Sequence, residues 1–163
     1  MTAVRADSAN LADLDALYRA VGERGRGLNV VVANSGSGSF ASLGEITEEQ
    51  FDTTFGTNVL HATRVSPAFS VHSATKAAVR NFARSWPFDL KGTGTRVNVL
   101  SPGPTLTPGE GQEALVDGLV AEVPLGRMGD PAEIAAAALF LASAEASFVN
   151  GVEFFVDGGQ AQI

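Results

Sequence analysis

Val71-His72-Ser73-Ala74-Thr75-Lys76 opens a helical pattern that runs to about Leu90, and the reading of the other segments turns on it. His72 and Lys76 are four positions apart, so on a helix both side chains leave one face and can act on one substrate atom. Upstream, Leu28-Asn29-Val30-Val31-Val32-Ala33 is an almost unbroken β-branched run, the pattern of a parallel strand covered on both faces. Downstream, Arg96-Val97-Asn98-Val99-Leu100 reads as a second strand, ended by Ser101-Pro102-Gly103-Pro104, and Val152 to Val156 as the last one. Thr2 to Arg5 reads as a short first strand. Between the strands lie three segments of helical period besides the opening one. Ser8 or Asn10 caps a helix through Leu11, Leu14, Leu17, Tyr18 and Val21 that stops near Gly22, and Thr47-Glu48-Glu49-Gln50 is a capping box leading into Phe51, Phe55, Val59 and Ala62. Pro131 opens an Ala- and Leu-rich helix up to Ala142. Strands that alternate with helices predict an α/β fold with a parallel sheet.

A chain of 163 residues with 45% apolar and 18% charged residues fits one domain over residues 1–163. The net charge of −7 and the absence of a basic stripe argue against nucleic acid as a partner. No apolar run approaches the roughly 20 residues that cross a bilayer, and no basic-then-apolar leader opens the sequence, so a cytoplasmic protein without membrane contact is expected. With no cysteine and only His61 and His72 as imidazoles, no metal site is expected.

The phrase from His72 to Ala78 resembles the Tyr-Ser-Ala-Thr-Lys-Ala-Ala stretch of the short-chain dehydrogenase/reductase (SDR) family, with His72 in the tyrosine's place. Further landmarks follow in family order. Ala33-Asn34-Ser35-Gly36 is similar to the Asn-Ala-Gly turn after the fourth strand, and Asn58 matches the asparagine of the Asn-Ser-Tyr-Lys tetrad. Pro102-Gly103 with Thr107 resembles the segment that holds the nicotinamide carboxamide, and Pro124 to Gly159 looks like the family's C-terminal part. The resemblance implies a Rossmann-like fold, NAD(P) as cofactor, and hydride transfer. It makes His72, Lys76 and Asn58 the catalytic candidates. Asp7, Asn34, Ser35, Gly36, Lys76, Pro102, Gly103 and Thr107 become the cofactor-binding ones, Asp7 at the place of an adenine-contacting aspartate.

The departures are as informative. The family's Gly-x-x-x-Gly-x-Gly turn at a helix N-terminus, whose amides receive the pyrophosphate, has no match here. Gly22-Glu23-Arg24-Gly25-Arg26-Gly27 follows a helix and precedes a strand, the reverse of what a phosphate cradle requires, and reads as a helix stop; Gly36-Ser37-Gly38 reads as a flexible loop. Asn58 and Lys76 are only 18 positions apart, too close for the strand that carries the family's catalytic serine. Ser66 and Ser70 read as helix-start residues. An ammonium about 6 Å from His72, at an effective dielectric of about 20, disfavours imidazolium by up to roughly 3 kcal/mol. A neutral imidazole suits proton abstraction better than donation to a carbonyl. Against this stands the plainer reading of His72 as a polar surface residue, Lys76 as a solvated helix lysine and Asn58 as a partner of helix carbonyls.

The expected architecture is a reduced, Rossmann-like parallel sheet of about four strands, with helices mainly on one face. A sheet face left so bare calls for a partner, either a second copy or an SDR-like heteromer; Phe82 and Trp86 are a second candidate contact, or ordinary core. Three readings of function follow. The first is a degenerate SDR-family protein that binds or assembles without redox chemistry and needs no cofactor on its own. The second is a working enzyme, either an NAD(P)-dependent oxidoreductase completed by a partner or a cofactor-free proton-transfer catalyst using His72 and Lys76. The third is a shortened version of a normal family member, which the intact mass of the natural product would separate from the 16.8 kDa of this chain.

Overall fold

Asn10 starts the first helix as its sequence predicts: its side-chain oxygen accepts the N–H groups of Ala12 (2.9 Å) and Asp13 (3.4 Å), and α1 spans Leu11–Gly22. The computed structural model describes residues 2–34, 36, 45–57, 70–106 and 113–162. They fall into two compact units, Met1–Lys76 and Ala77–Ile163.

In the first unit α2 spans Glu48–Thr57 behind the expected capping box. The Gln50 N–H donates to Thr47 Oγ1 (3.2 Å), and the Thr47 N–H donates to Gln50 Oε1 (3.0 Å). Val59 and Ala62, expected to continue it, lie outside the described residues. Thr2 to Arg5 and Leu28 to Ala33 do not form strands. Val31 and Val32 are each 73% exposed. A β-branched run becomes a strand only where neighbouring backbone supplies its hydrogen bonds and apolar cover, and the described residues bring neither to it.

Helix α3, Ser70–Asp89, runs from the first unit into the second and fulfils the expectation of a helix from about 70 to 90. Its buried residues Thr75, Lys76, Val79 and Ala83 follow helical spacing along one stripe. Phe82 and Trp86 are not core: both are exposed and stack on each other, with ring centroids 5.2 Å apart.

The second unit holds the sheet. Strands β1 (Val99–Pro102) and β2 (Glu153–Val156) pair in parallel, Val99 opposite Glu153 and Pro102 opposite Val156. The Val99 N–H donates to the Val152 carbonyl (2.9 Å) and the Gly103 N–H to the Val156 carbonyl (3.0 Å). β1 begins later than its sequence predicts: the Val97 carbonyl accepts the Gly151 N–H (2.8 Å), but side chains take the other bonds of Val97 and Asn98. The Val97 N–H donates to the Asn150 side chain (2.9 Å), and Asn98 bridges the Val149 carbonyl and the Val152 N–H. Arg96 does comparable work, donating to the carbonyls of Leu141 (2.8 Å), Ser143 (3.1 Å) and Val149 (3.2 Å). A guanidinium there satisfies orphan carbonyls at the C-terminus of α5 (Pro131–Ala142) and suits the negative end of its dipole.

α5 opens on Asp130, with Pro131 in its first turn and a full capping box: Asp130 Oδ1 accepts the Ala132 N–H (2.8 Å), and Glu133 Oε2 accepts the Asp130 N–H (2.8 Å). Arg127 holds the same Glu133 through both terminal nitrogens (2.8 and 2.7 Å). That pair and the Asp130 amide hold the Glu133 carboxyl down at about 2. Phe140 on α5 meets Phe154 on β2 at 6.0 Å. The remaining helix, α4, spans Glu113–Val120. No residue of α5 is fully buried, and Leu139 is left 71% exposed, so this helix covers the sheet incompletely.

Candidate functional site

Open parallel sheets present their ligands at the carboxyl ends of the strands. Here that end is made by Pro102-Gly103 after β1 and Asp157-Gly158-Gly159 after β2. The two loops touch. A Cβ on Gly103 would lie 2.6 Å from Asp157 Cα, so only glycine allows the strands to end side by side. The Asp157 carboxylate is turned back on its own loop, accepting the N–H groups of Gly159 (2.9 Å) and Ala161 (2.7 Å). The carbonyl of Gly158, at φ +65°, accepts the Leu125 N–H (3.2 Å), and a Cβ there would meet Val123 at 2.5 Å. Pro102 and Gly103 thus sit at the expected edge, engaged in closing it.

Lys76 is 2% exposed. Desolvation pushes its amine down from 10.5 to about 7. This corrects the reading of a solvated helix lysine: the position falls on the buried stripe of α3, beside Thr75. His72 lies one turn earlier on the α3 backbone, so the helical spacing holds, while its imidazole is outside the described residues. Asn58, Ser35 and Thr107 also lie outside them. Asn34 and Gly36 are exposed. Asp7 serves the entry to α1: its Oδ1 accepts the Ala9 N–H (2.9 Å), and its own N–H donates to Asp13 Oδ2 (2.8 Å). Within the second unit, Pro102 and Gly103 share the carboxyl end of β1.

A polar group that the sequence reading missed is centred on Glu153, at the amino end of β2, and reaches along the sheet to Ser101 of β1. Glu153 Oε1 accepts the Ser101 hydroxyl (2.9 Å), and Glu153 Oε2 lies 3.5 Å from Arg80 Nη1. The signal was available: Glu153 is a carboxylate opening an otherwise apolar strand, and Arg80 and Arg84 are four apart on α3. Among the described residues no group of His, Asp and Glu could hold a metal ion, and no helix is long and apolar enough to cross a membrane.

Comparison with known proteins fits this geometry. A sequence profile described as enoyl-(acyl carrier protein) reductase matches residues 57–161. An oxidoreductase from Sarocladium schorii is 40% identical, the match covering 99% of this chain and 77% of that one. The alignment runs over 192 residues against the 163 present here, so the relative carries internal residues with no counterpart in this chain. Among solved structures, a short-chain dehydrogenase/reductase from Serratia marcescens superposes with a TM-score of 0.91 at 26% identity, covering 98% of this chain and 76% of that one. A gluconate 5-dehydrogenase from Burkholderia cenocepacia, in complex with NADP and tartrate, gives 0.87 at 27% identity, covering 96% and 74%. A parallel sheet closed at its carboxyl end by glycine, a lysine on the helix before it, and relatives matching almost the whole chain place this protein in the short-chain dehydrogenase/reductase family of oxidoreductases.

Proposed function

We propose that this chain is a member of the family that does not carry out nicotinamide-dependent redox chemistry unaided, and acts as a binding or assembly subunit. The burial of Lys76 carries the reading. The family mechanism asks this lysine to be a cation that lowers the pKa of a neighbouring tyrosine. Desolvation that draws its amine down to about 7 weakens that charge at neutral pH, and the neighbour four positions earlier is His72.

The described residues do not fit a dinucleotide well. Asp7 is engaged at the start of α1, the space beside Gly103 is filled by Asp157, and Lys76 is withdrawn from solvent. The spacing of 18 residues from Asn58 to Lys76 leaves no room for the family's serine-bearing strand. The reading takes residues 1–163 as one family domain, cytoplasmic, and paired with a second copy or an SDR-like partner through apolar surface such as Leu139 and Trp86. Isothermal titration of the chain with NADH and with NADPH tests it. No heat of binding at micromolar concentrations is expected, and micromolar affinity for either nucleotide refutes the proposal.

A second reading, an NAD(P)-dependent oxidoreductase active once a partner completes it, draws support from the 40% identity to an oxidoreductase and from the NADP-bound structural relative. In that reading His72, Lys76 and Asn58 work on the substrate, while Asn34, Ser35, Gly36, Pro102, Gly103 and Thr107 meet the nucleotide. Consumption of NADPH that rises with addition of an SDR partner, and falls to background in the Lys76→Met protein, would favour it over the first.

A further inference from the structure

Within residues 77–163 a cleft of about 300 Å³ opens between α3 and the amino ends of β1 and β2. Arg80, Asn81 and Arg84 form its helical wall, with Val99, Val152 and Glu153 opposite. Val99, Val152 and Glu153 stand at the amino ends of the strands, away from Pro102-Gly103, although Glu153 reaches Ser101, the residue before Pro102. Its volume is at the lower bound of small-molecule sites.

The charges do not balance. Glu153 is the one carboxylate among the lining residues, and it is shared between the Ser101 hydroxyl and Arg80. No carboxylate among the described residues pairs with Arg84. Like charges four apart on a helix disfavour each other modestly, and of these two arginines, Arg84 exposed and Arg80 half-buried, Arg80 alone meets a described carboxylate. The cleft is therefore locally cationic in a chain of net charge −7. Arginine and a neighbouring amide match a carboxylate in shape, since parallel N–H donors can meet both of its oxygens. Val99 and Val152 add apolar wall that a bare inorganic ion would not use.

We propose that this cleft binds a small organic carboxylate, its charged end held by Arg84 and Arg80 with Asn81 as a further donor, and its hydrocarbon end against Val99 and Val152. The proposal does not rest on whether the chain transfers hydride. The test is a titration of the whole chain followed by amide ¹H–¹⁵N chemical shifts, at constant ionic strength, with butyrate, formate, inorganic phosphate and chloride. Saturable shifts at Arg84, Val152 and Glu153 are expected with butyrate, at an affinity about tenfold or more above that for formate or phosphate. Arg84→Gln should weaken butyrate by about tenfold or more, and Arg127→Gln, outside the cleft, should leave it unchanged. Equal response to chloride, phosphate binding as tight as butyrate, or an Arg84→Gln protein that binds like the parent overturns the proposal. Should Arg84→Gln fail to fold, Asn81→Asp gives the same decision, because a carboxylate placed in the cleft must repel the ligand if the site is real.

Discussion

Val99–Pro102 and Leu28–Ala33 are both short apolar runs, yet the molecule treats them differently. The first is bonded to β2 along its length, flanked by Arg96 and Asn98 that tie its approach to the loop after α5. The second lies open, with Val31 and Val32 mostly exposed. Strand propensity alone did not decide the outcome. What separates the two is the presence of a second backbone in register and of polar side chains that fix the chain on its way in.

The largest expected effect lies where the bonded region is tightest. Gly103→Ala puts a methyl group 2.6 Å from Asp157 Cα and should destabilise the second unit by about 3 kcal/mol, read from urea unfolding. A variant within experimental error of the parent would show that the carboxyl ends of β1 and β2 are looser than the comparison holds.

Lys76 gives the next effect. Its folded-state pKa is about 7 against 10.5 for the ordinary amine. Between those values the unfolded chain binds the extra proton, so unfolding free energy should rise with pH, by up to about 1.4 kcal/mol per unit. The contribution is complete above the unfolded value, and the penalty for burying the charge is greatest below about 7. Lys76→Met should flatten this slope and be the more stable protein at pH 6, as measured by urea unfolding across pH. A parent whose stability is flat between pH 7.5 and 9.5 would mean the amine is hydrated.

Asp130→Ala removes the cap of α5 and should cost about 1 kcal/mol in thermal unfolding. At the small end, Val31→Asn should change stability by no more than about 0.5 kcal/mol, and the amides of Leu28 to Ala33 should exchange with solvent much faster than that of Val99. A loss of about 2 kcal/mol in Val31→Asn would erase the contrast between the two runs.

Much of the local structure was legible in the residues. Asn10, the Thr47–Gln50 box and Asp130-Pro131 mark helix starts with side chains that bond the first free amides, information contained within a few consecutive positions. The family phrases identified the descent, and Pro102-Gly103 located the strand end. Long-range consequences were not readable in the same way. The fate of Leu28 to Ala33 depends on which backbone reaches it. The burial of Lys76 depends on how α3 is rotated about its axis, which the four-residue spacing to His72 leaves open. Glu153, Ser101 and Arg80 meet only after a parallel strand pairing brings positions some fifty apart into contact.

That same pairing governs how the second unit assembles. Val99 and Glu153 are neighbours across the ladder, but everything from Gly103 to Val152 intervenes along the chain. No hairpin can nucleate such a contact; the intervening chain must close first, an entropic toll collected before any ladder bond forms. Refolding of this part should therefore wait on α5 finding its place through Arg96, and early intermediates should contain helix without sheet.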